Sequence, residues 1–376
     1  MPTTTTEKPF SLLIKPVSFD CNLRCRYCFY LKKEDVFGSQ RHCMSDEVLE
    51  AMVVNYLQSP QPVYSFGWQG GEPTLAGVDF FRRAVGCMEK HGWPGINYAN
   101  ALQTNGTLLD DKWGEFLAEY RFLVGVSVDG PAVWHDVNRR TADDRGSHSA
   151  VLRGLDVLRR HGVEFNVLTL VNNVTVREPL AVYRYLRDDL GVNFHQYIEC
   201  VEHDAAGKLM PYAVTAEQWG DFLCQIFDEW HAQDQKRVSV RLFDTVLHKL
   251  LTGQANTCAA SRECGQYLVV EHDGGIYPCD FFVQPDLKLG NVLRQPLAQA
   301  LASPKARVFA QRKAKTPRQC RSCEFNPYCA GDCPKNRFQD TSLLCAGWKK
   351  FYRHALERLK KIAADLQASG MAPPRA

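Results

Sequence analysis

Apolar residues in the N-terminal half come as short β-rich runs separated by stretches with helical spacing. The runs Ser11–Pro16, Tyr64–Gln69, Ile96–Thr104, Phe122–Asp129, Glu164–Val171 and Phe194–Glu199 read as strands. Between them, Asp46–Leu57, Val78–His91, Asp111–Glu119, Ser149–His161 and Val176–Asp189 carry the recurrence of amphipathic helices. Strand and helix alternating six times predict a parallel sheet of right-handed βα units. Six units fall short of the eight of a closed barrel, so the expected fold is a partial (β/α)6 TIM-like barrel, open along one side.

A further helix, about Ala216–Gln233, closes this domain, and from about Arg241 the pattern changes. One helix near Asp244–Leu251 and a hairpin signal at Asp273-Gly274-Gly275 are followed by cysteine-rich loops. With so few long apolar runs this region lacks a core of its own, and such segments are commonly held together by metal. Ala346–Leu366 reads as a charged amphipathic helix, followed by a Pro-containing tail expected to be disordered. The expected organisation is a disordered start over 1–10, the partial barrel over 11–235, a cysteine-rich domain over 236–345, and a helix and tail over 346–376.

Composition narrows the picture little: 376 residues, 45% hydrophobic and 23% charged, are ordinary globular values. A net charge of +3 gives nucleic-acid binding no support. MPTTTTEKPF has no apolar core for a signal peptide, and no stretch approaches the roughly 18 apolar residues of a membrane span. The expectation is a cytoplasmic protein, and there 15 cysteines read as metal or cluster ligands rather than disulfides. Eleven of them fall into groups; Cys43, Cys87 and Cys224 read as small buried apolar residues, and Cys200 is left open.

Cys21-x3-Cys25-x2-Cys28 follows the first strand. Three thiolates can hold three irons of a 4Fe–4S cube and leave the fourth iron open to a small molecule. A zinc site completed by His42 or another side chain fits the same spacing. Tyr27, Phe29 and Tyr30 around the third cysteine weigh against zinc, though they also suit a core. Gln69-Gly70-Gly71-Glu72-Pro73, at the end of the second strand, suits close backbone approach to a ligand amine, or a tight turn before a helix. Gln103-Thr-Asn105-Gly and Ser127-Val-Asp129-Gly end the third and fourth strands, where parallel α/β folds place their sites.

In this combination the chain resembles the radical S-adenosylmethionine enzymes. The resemblance implies that Cys21, Cys25 and Cys28 hold a 4Fe–4S cluster whose open iron binds S-adenosylmethionine. It further implies cofactor contacts from Gln69, Gly70, Gly71, Glu72, Ser127, Tyr27, Asn105 and Arg139.

Eight more cysteines follow: Cys258, Cys264, Cys279, Cys320, Cys323, Cys329, Cys333 and Cys345. That number ligates two complete 4Fe–4S cubes or two zinc ions, and spacing alone does not separate these. The layout resembles the SPASM domain of peptide-modifying radical enzymes. By that resemblance Cys258, Cys264, Cys279 and Cys333 bind the nearer auxiliary cluster, and Cys320, Cys323, Cys329 and Cys345 the farther one, making three 4Fe–4S clusters in all.

Asp280 follows Cys279 directly and therefore lies within a few ångströms of that cluster. It reads either as a turn-capping aspartate or as a general base. Ser11-Leu-Leu-Ile-Lys-Pro, Cys28-Phe-Tyr30, Gln69-Gly-Gly-Glu-Pro-Thr-Leu-Ala-Gly and Tyr277-Pro-Cys-Asp-Phe extend a resemblance to anaerobic sulfatase-maturating enzymes over nearly the whole chain. This implies that Asp280 is the base, that Tyr30 and Gln69 lie beside the target side chain, and that a sulfatase cysteine or serine becomes formylglycine. Implied partners are the sulfatase polypeptide and an electron donor such as flavodoxin or ferredoxin. Glu199, at the end of the sixth strand, stands where an uncharged residue is expected from the resemblance. Two rival readings are another SPASM-type enzyme forming thioether or carbon–carbon crosslinks, and a zinc-stabilised binding protein.

Overall fold

The computed structural model describes residues 9–370. They form two compact units, one of residues 9–127, 139–165 and 265–310, the other of residues 128–138, 166–264 and 311–370.

In the first unit, β1 (Ser11–Ile14) is central and pairs in parallel on both sides. On one side lies β2 (Tyr64–Trp68), with Leu12 opposite Phe66, followed in parallel by β3 (Tyr98–Thr104) and β4 (Leu123–Ser127). On the other side lies β8 (Tyr267–Val270), with Leu12 opposite Leu268. Antiparallel β9 (Gly275–Tyr277) and β10 (Gly290–Asn291) complete that edge. Alternate residues of β1 and β2 are buried, as expected of strands with one face on a core. Helix starts are chemically marked: Ser45 accepts from the Val48 N–H and Asp110 from the Trp113 N–H. Trp68, Phe81, Trp113 and Phe116 pack in edge contacts beneath the helices.

The second unit holds β5 (Phe165–Val171), β6 (Phe194–Glu199) and β7 (Ser239–Val240), again parallel. Its helix Ala216–Gln233 starts with a capping box of Thr215 and Gln218. Cys345–Ala368 lies against it so closely that a Cβ on Gly347 would sit 2.1 Å from the Ala216 carbonyl oxygen. Phe227, Phe243 and Phe351 fill this interior.

The α/β class, with its mostly parallel βα units, is thus as read from the sequence. Details differ. The single helix expected over Val176–Asp189 is a 3-10 turn (Thr175–Arg177), an α-helix (Pro179–Arg184) and a π turn (Tyr185–Asp189). Pro179 has no N–H to continue a helix and instead opens a new one. β8 and the helix Ala132–Asn138 were not anticipated. Phe10, placed in the disordered start, is buried, with its N–H on Gln61 and its carbonyl accepting from Tyr56. Residues 1–8, and the tail over 371–376, lie outside the described residues. Cys43, expected buried, is exposed, and Cys87 is half-buried, whereas Cys224 and Cys200 are buried.

Candidate active site and cluster-binding cysteines

Cys21, Cys25 and Cys28 lie in the loop after β1, none of them in a disulfide. Hydrogen bonds from the Cys28 N–H to the Cys25 carbonyl and from the Arg24 N–H to the Arg140 carbonyl shape the loop. The Leu23 N–H points at Cys21 Sγ, 3.3 Å away. Burial first, then the charges of Glu72, Cys25 and Cys28, push the Cys21 thiol up to about 12. Such crowded thiols become thiolates only when a cation takes their charge, which fits an iron cluster. Arg139, stacked over the Tyr27 ring at 5.6 Å, pulls Cys28 the other way, against its burial.

The glycines after β2 admit protein backbone. A Cβ on Gly71 would lie 2.0 Å from the Asp20 carbonyl oxygen, and one on Gly70 2.5 Å from that of Ser18. Both contacts are to the segment just before Cys21, and the Gly71 and Glu72 N–H groups bond to it. Glu72, fully buried, accepts from the Thr74 N–H and hydroxyl, the Thr104 hydroxyl and the Asn105 N–H. Its carboxylate thereby ties the turn to the end of β3, and burial raises its pKa. Asn105 in turn donates to Asn22 at 2.8 Å, and Asn22 to Thr107. Near the end of β3, Gln103 donates to the Ser127 hydroxyl, 3.2 Å away at the end of β4.

Lys15, Tyr30, Gln69 and Asp280, far apart in sequence, meet in one hydrogen-bonded group. The phenol of Tyr30 donates to Asp280 Oδ2 at 2.6 Å and accepts from Lys15 at 2.6 Å and from Gln69 at 3.2 Å. Lys15 also forms an ion pair with Asp280 Oδ1, and both are buried. Burial and the neighbouring Asp280 charge hold the Tyr30 phenol well above its ordinary pKa, so it remains a donor. Adjacent to Asp280, Cys279 Sγ is 3.3 Å from the Tyr267 hydroxyl. Lys15 as partner of Asp280 was missed, although it stands in the quoted Ser11–Pro16 segment; its apolar flanks hid a buried charge.

In the second unit, Cys320, Cys323, Cys329 and Cys345 line one cavity with Phe325, Trp348 and Lys349. Burial, then Asp332 and Cys345, push the Cys329 thiol up to about 12. Four thiols lining one cavity are a donor set that an iron–sulfur cluster can use. Lys313 bonds to the carbonyl of Cys258, and Asp332 to the N–H of Cys333. Asp129 is a structural residue: buried, it accepts from the Leu170 N–H. Glu199 accepts from Asn336 at 2.7 Å, and burial followed by Asp332 pushes its carboxyl up to about 7. Burial pushes the Cys200 thiol up to about 12, which makes it an unreactive core residue.

Comparison with known proteins follows the same lines. The model of the Radical SAM superfamily matches residues 16–186, and that of the SPASM iron–sulfur cluster-binding domain matches 258–324. A serine-type anaerobic sulfatase-maturating enzyme of Bacteroides thetaiotaomicron is 36% identical over 96% of this chain and 94% of its own length. A cysteine-type anaerobic sulfatase-maturating enzyme of Clostridium perfringens is also 36% identical, over 96% of this chain and all of its own. A solved structure, native anSMEcpe with bound AdoMet and Cp18Cys peptide, superposes with a TM-score of 0.88 at 36% identity, covering 95% of this chain and 100% of that one.

Proposed function

The chain belongs to the anaerobic sulfatase-maturating enzymes of the radical S-adenosylmethionine superfamily, and on that premise we propose that it oxidises a sulfatase cysteine or serine to formylglycine with Asp280 as base. When bound, S-adenosylmethionine and the iron–sulfur clusters supply a 5′-deoxyadenosyl radical that takes a hydrogen atom from the target Cβ, and an acceptor for one electron. Cys21, Cys25 and Cys28 are the ligands we assign to the first cluster, with Gln69 to Glu72, Asn105, Ser127, Tyr27 and Arg139 around the cofactor. Glu72 contributes by holding the turn in place.

Oxidation of a –CH2–SH or –CH2–OH group releases one hydrogen atom, one proton and one electron. The Asp280 carboxylate takes the proton from the sulfur or oxygen. Lys15 fixes one oxygen of that carboxylate through an ion pair before the reaction, and Tyr30, anchored by Gln69, fixes the other. From serine the product is the aldehyde directly; from cysteine it is a thioaldehyde, which water converts to the aldehyde with release of hydrogen sulfide. The observation that carries this reading is the buried carboxylate immediately after Cys279, held by Lys15 and by a Tyr30 that Gln69 anchors. The partners are the sulfatase segment and a cytoplasmic one-electron donor of the flavodoxin or ferredoxin class. Among the described residues no helix is long and apolar enough to cross a membrane.

The test is mass spectrometry of sulfatase-derived peptides with cysteine or serine at the target, after anaerobic incubation with reconstituted enzyme, S-adenosylmethionine and reductant. Formylglycine with 5′-deoxyadenosine is expected. Deoxyadenosine with every such peptide unchanged would count against sulfatase maturation.

A further inference from the structure

We propose that Lys313 is a redox-tuning residue: its buried ammonium raises the reduction potential of the auxiliary cluster whose ligands include Cys258, Cys264 and Cys333. The inference rests on that ligand assignment. Lys313 is 0% exposed, which is rare for a lysine. Its Nζ donates to the carbonyl oxygens of Cys258, at 2.7 Å, and Ala259. Neutral carbonyls hold it in place, and among the described residues no carboxylate forms an ion pair with it.

Cys258, whose carbonyl Lys313 holds at 2.7 Å, is one of the assigned ligands. The position is braced as well. The guanidinium of Arg337, itself buried, donates to the carbonyls of Gly331, Lys313 and Asp332. That clamps the backbone of Lys313 to the turn leading into Cys333.

Reduction adds one negative charge to a cluster already surrounded by thiolates. A fixed positive charge at the same thiolates, shielded from water, favours the reduced form. Removing an electron from the substrate requires an acceptor, so a raised potential directs that electron towards this cluster. Lys249 is the natural comparison. It bonds at 2.9 Å to the carbonyl of Ala260 and not to that of Cys258.

The experiment is a potentiometric titration of the full-length holoenzyme followed by electron paramagnetic resonance, with iron content measured alongside. Lys313→Gln keeps a donor for the carbonyls and removes the charge; Lys313→Arg keeps the charge. At full iron content, Lys313→Gln is expected to lower one midpoint by about tenfold or more in the reduction equilibrium, 59 mV for each factor of ten. Lys313→Arg should stay near the parent, and Lys249→Gln should shift that midpoint less. Loss of iron in Lys313→Gln with iron and midpoint retained in Lys313→Arg also supports a requirement for the charge. An unshifted midpoint in iron-replete Lys313→Gln, or loss of iron in both variants, overturns the proposal. Cys258→Ser separates the underlying assignment: full iron and three parental midpoints there would refute the ligand set itself.

Discussion

Replacing Asp280 by Asn changes two things at once, and the structure allows them to be separated. The carboxylate is the ion-pair partner of Lys15, whose side chain is only 1% exposed. Without that charge, the ammonium is left with neutral partners such as the Tyr30 hydroxyl at 2.6 Å and the face of its ring. Stripping one partner from a buried pair costs about 3–5 kcal/mol of stability. Loss of a general base costs about 10²- to 10⁴-fold in rate, or about 3–5 kcal/mol in the barrier. The two effects are of similar size, so loss of product alone cannot identify the base. The double variant Lys15→Met/Asp280→Asn removes both charges and is expected to recover most of the lost stability, because a neutral pair no longer strands a buried ion. Anaerobic thermal denaturation measures the stability, and parallel quantification of 5′-deoxyadenosine and formylglycine measures the chemistry. Both variants should cleave the cofactor and yield at least 100-fold less formylglycine, within the range for loss of a general base. Product returning in the double variant would refute the assignment, since activity would then depend on charge balance and not on a carboxylate.

Gly71→Ala pushes a methyl group into the Asp20 carbonyl, and the loop carrying Cys21 must move. The expected result is loss of the first cluster's share of iron and no deoxyadenosine, read by iron analysis and chromatography. Cys345→Ser removes one of four thiols around the same cavity and should cost only the farther cluster, leaving cofactor cleavage intact. His195, bonded to the Val192 carbonyl and Tyr197, has its pKa lowered by burial to about 4, so its neutral form is the one the fold accepts. Its contribution is complete above the unfolded value of about 6.5 and declines as pH falls towards the folded value, losing about 2 kcal/mol by pH 5. Urea unfolding of parent and His195→Gln at pH 7.5 and 5 should show the parent losing more; equal losses would contradict the burial argument.

The order of βα units was legible because each strand and helix announces itself locally, by alternation and by caps such as Ser45 and Asp110. The cysteine groups were legible because ligand spacing is also local. What failed depends on distance along the chain. β8, Tyr267–Val270, is a short apolar run whose parallel partner β1 lies some 250 residues earlier, and nothing in the run itself names that partner. The Lys15–Asp280 pair is hidden in the same way, with each charge sitting in an otherwise apolar segment. Gly70, Gly71 and Glu72 were read as facing a ligand or as forming a tight turn, and the structure bears on the turn alone. The close contacts they make are with the Ser18–Asp20 backbone and the end of β3, and a sequence motif does not distinguish those two demands.

The C-terminal helix starts at Cys345, one of the four residues lining the cavity, and runs on to Ala368 against Ala216–Gln233. With that cysteine as a ligand, the first turn of the chain's last helix is fastened by iron. A newly made chain short of iron therefore keeps this terminus less firmly attached than a mature one. Proteases that enter at frayed ends can read that difference, so metal scarcity becomes a matter of how long each copy of the protein survives.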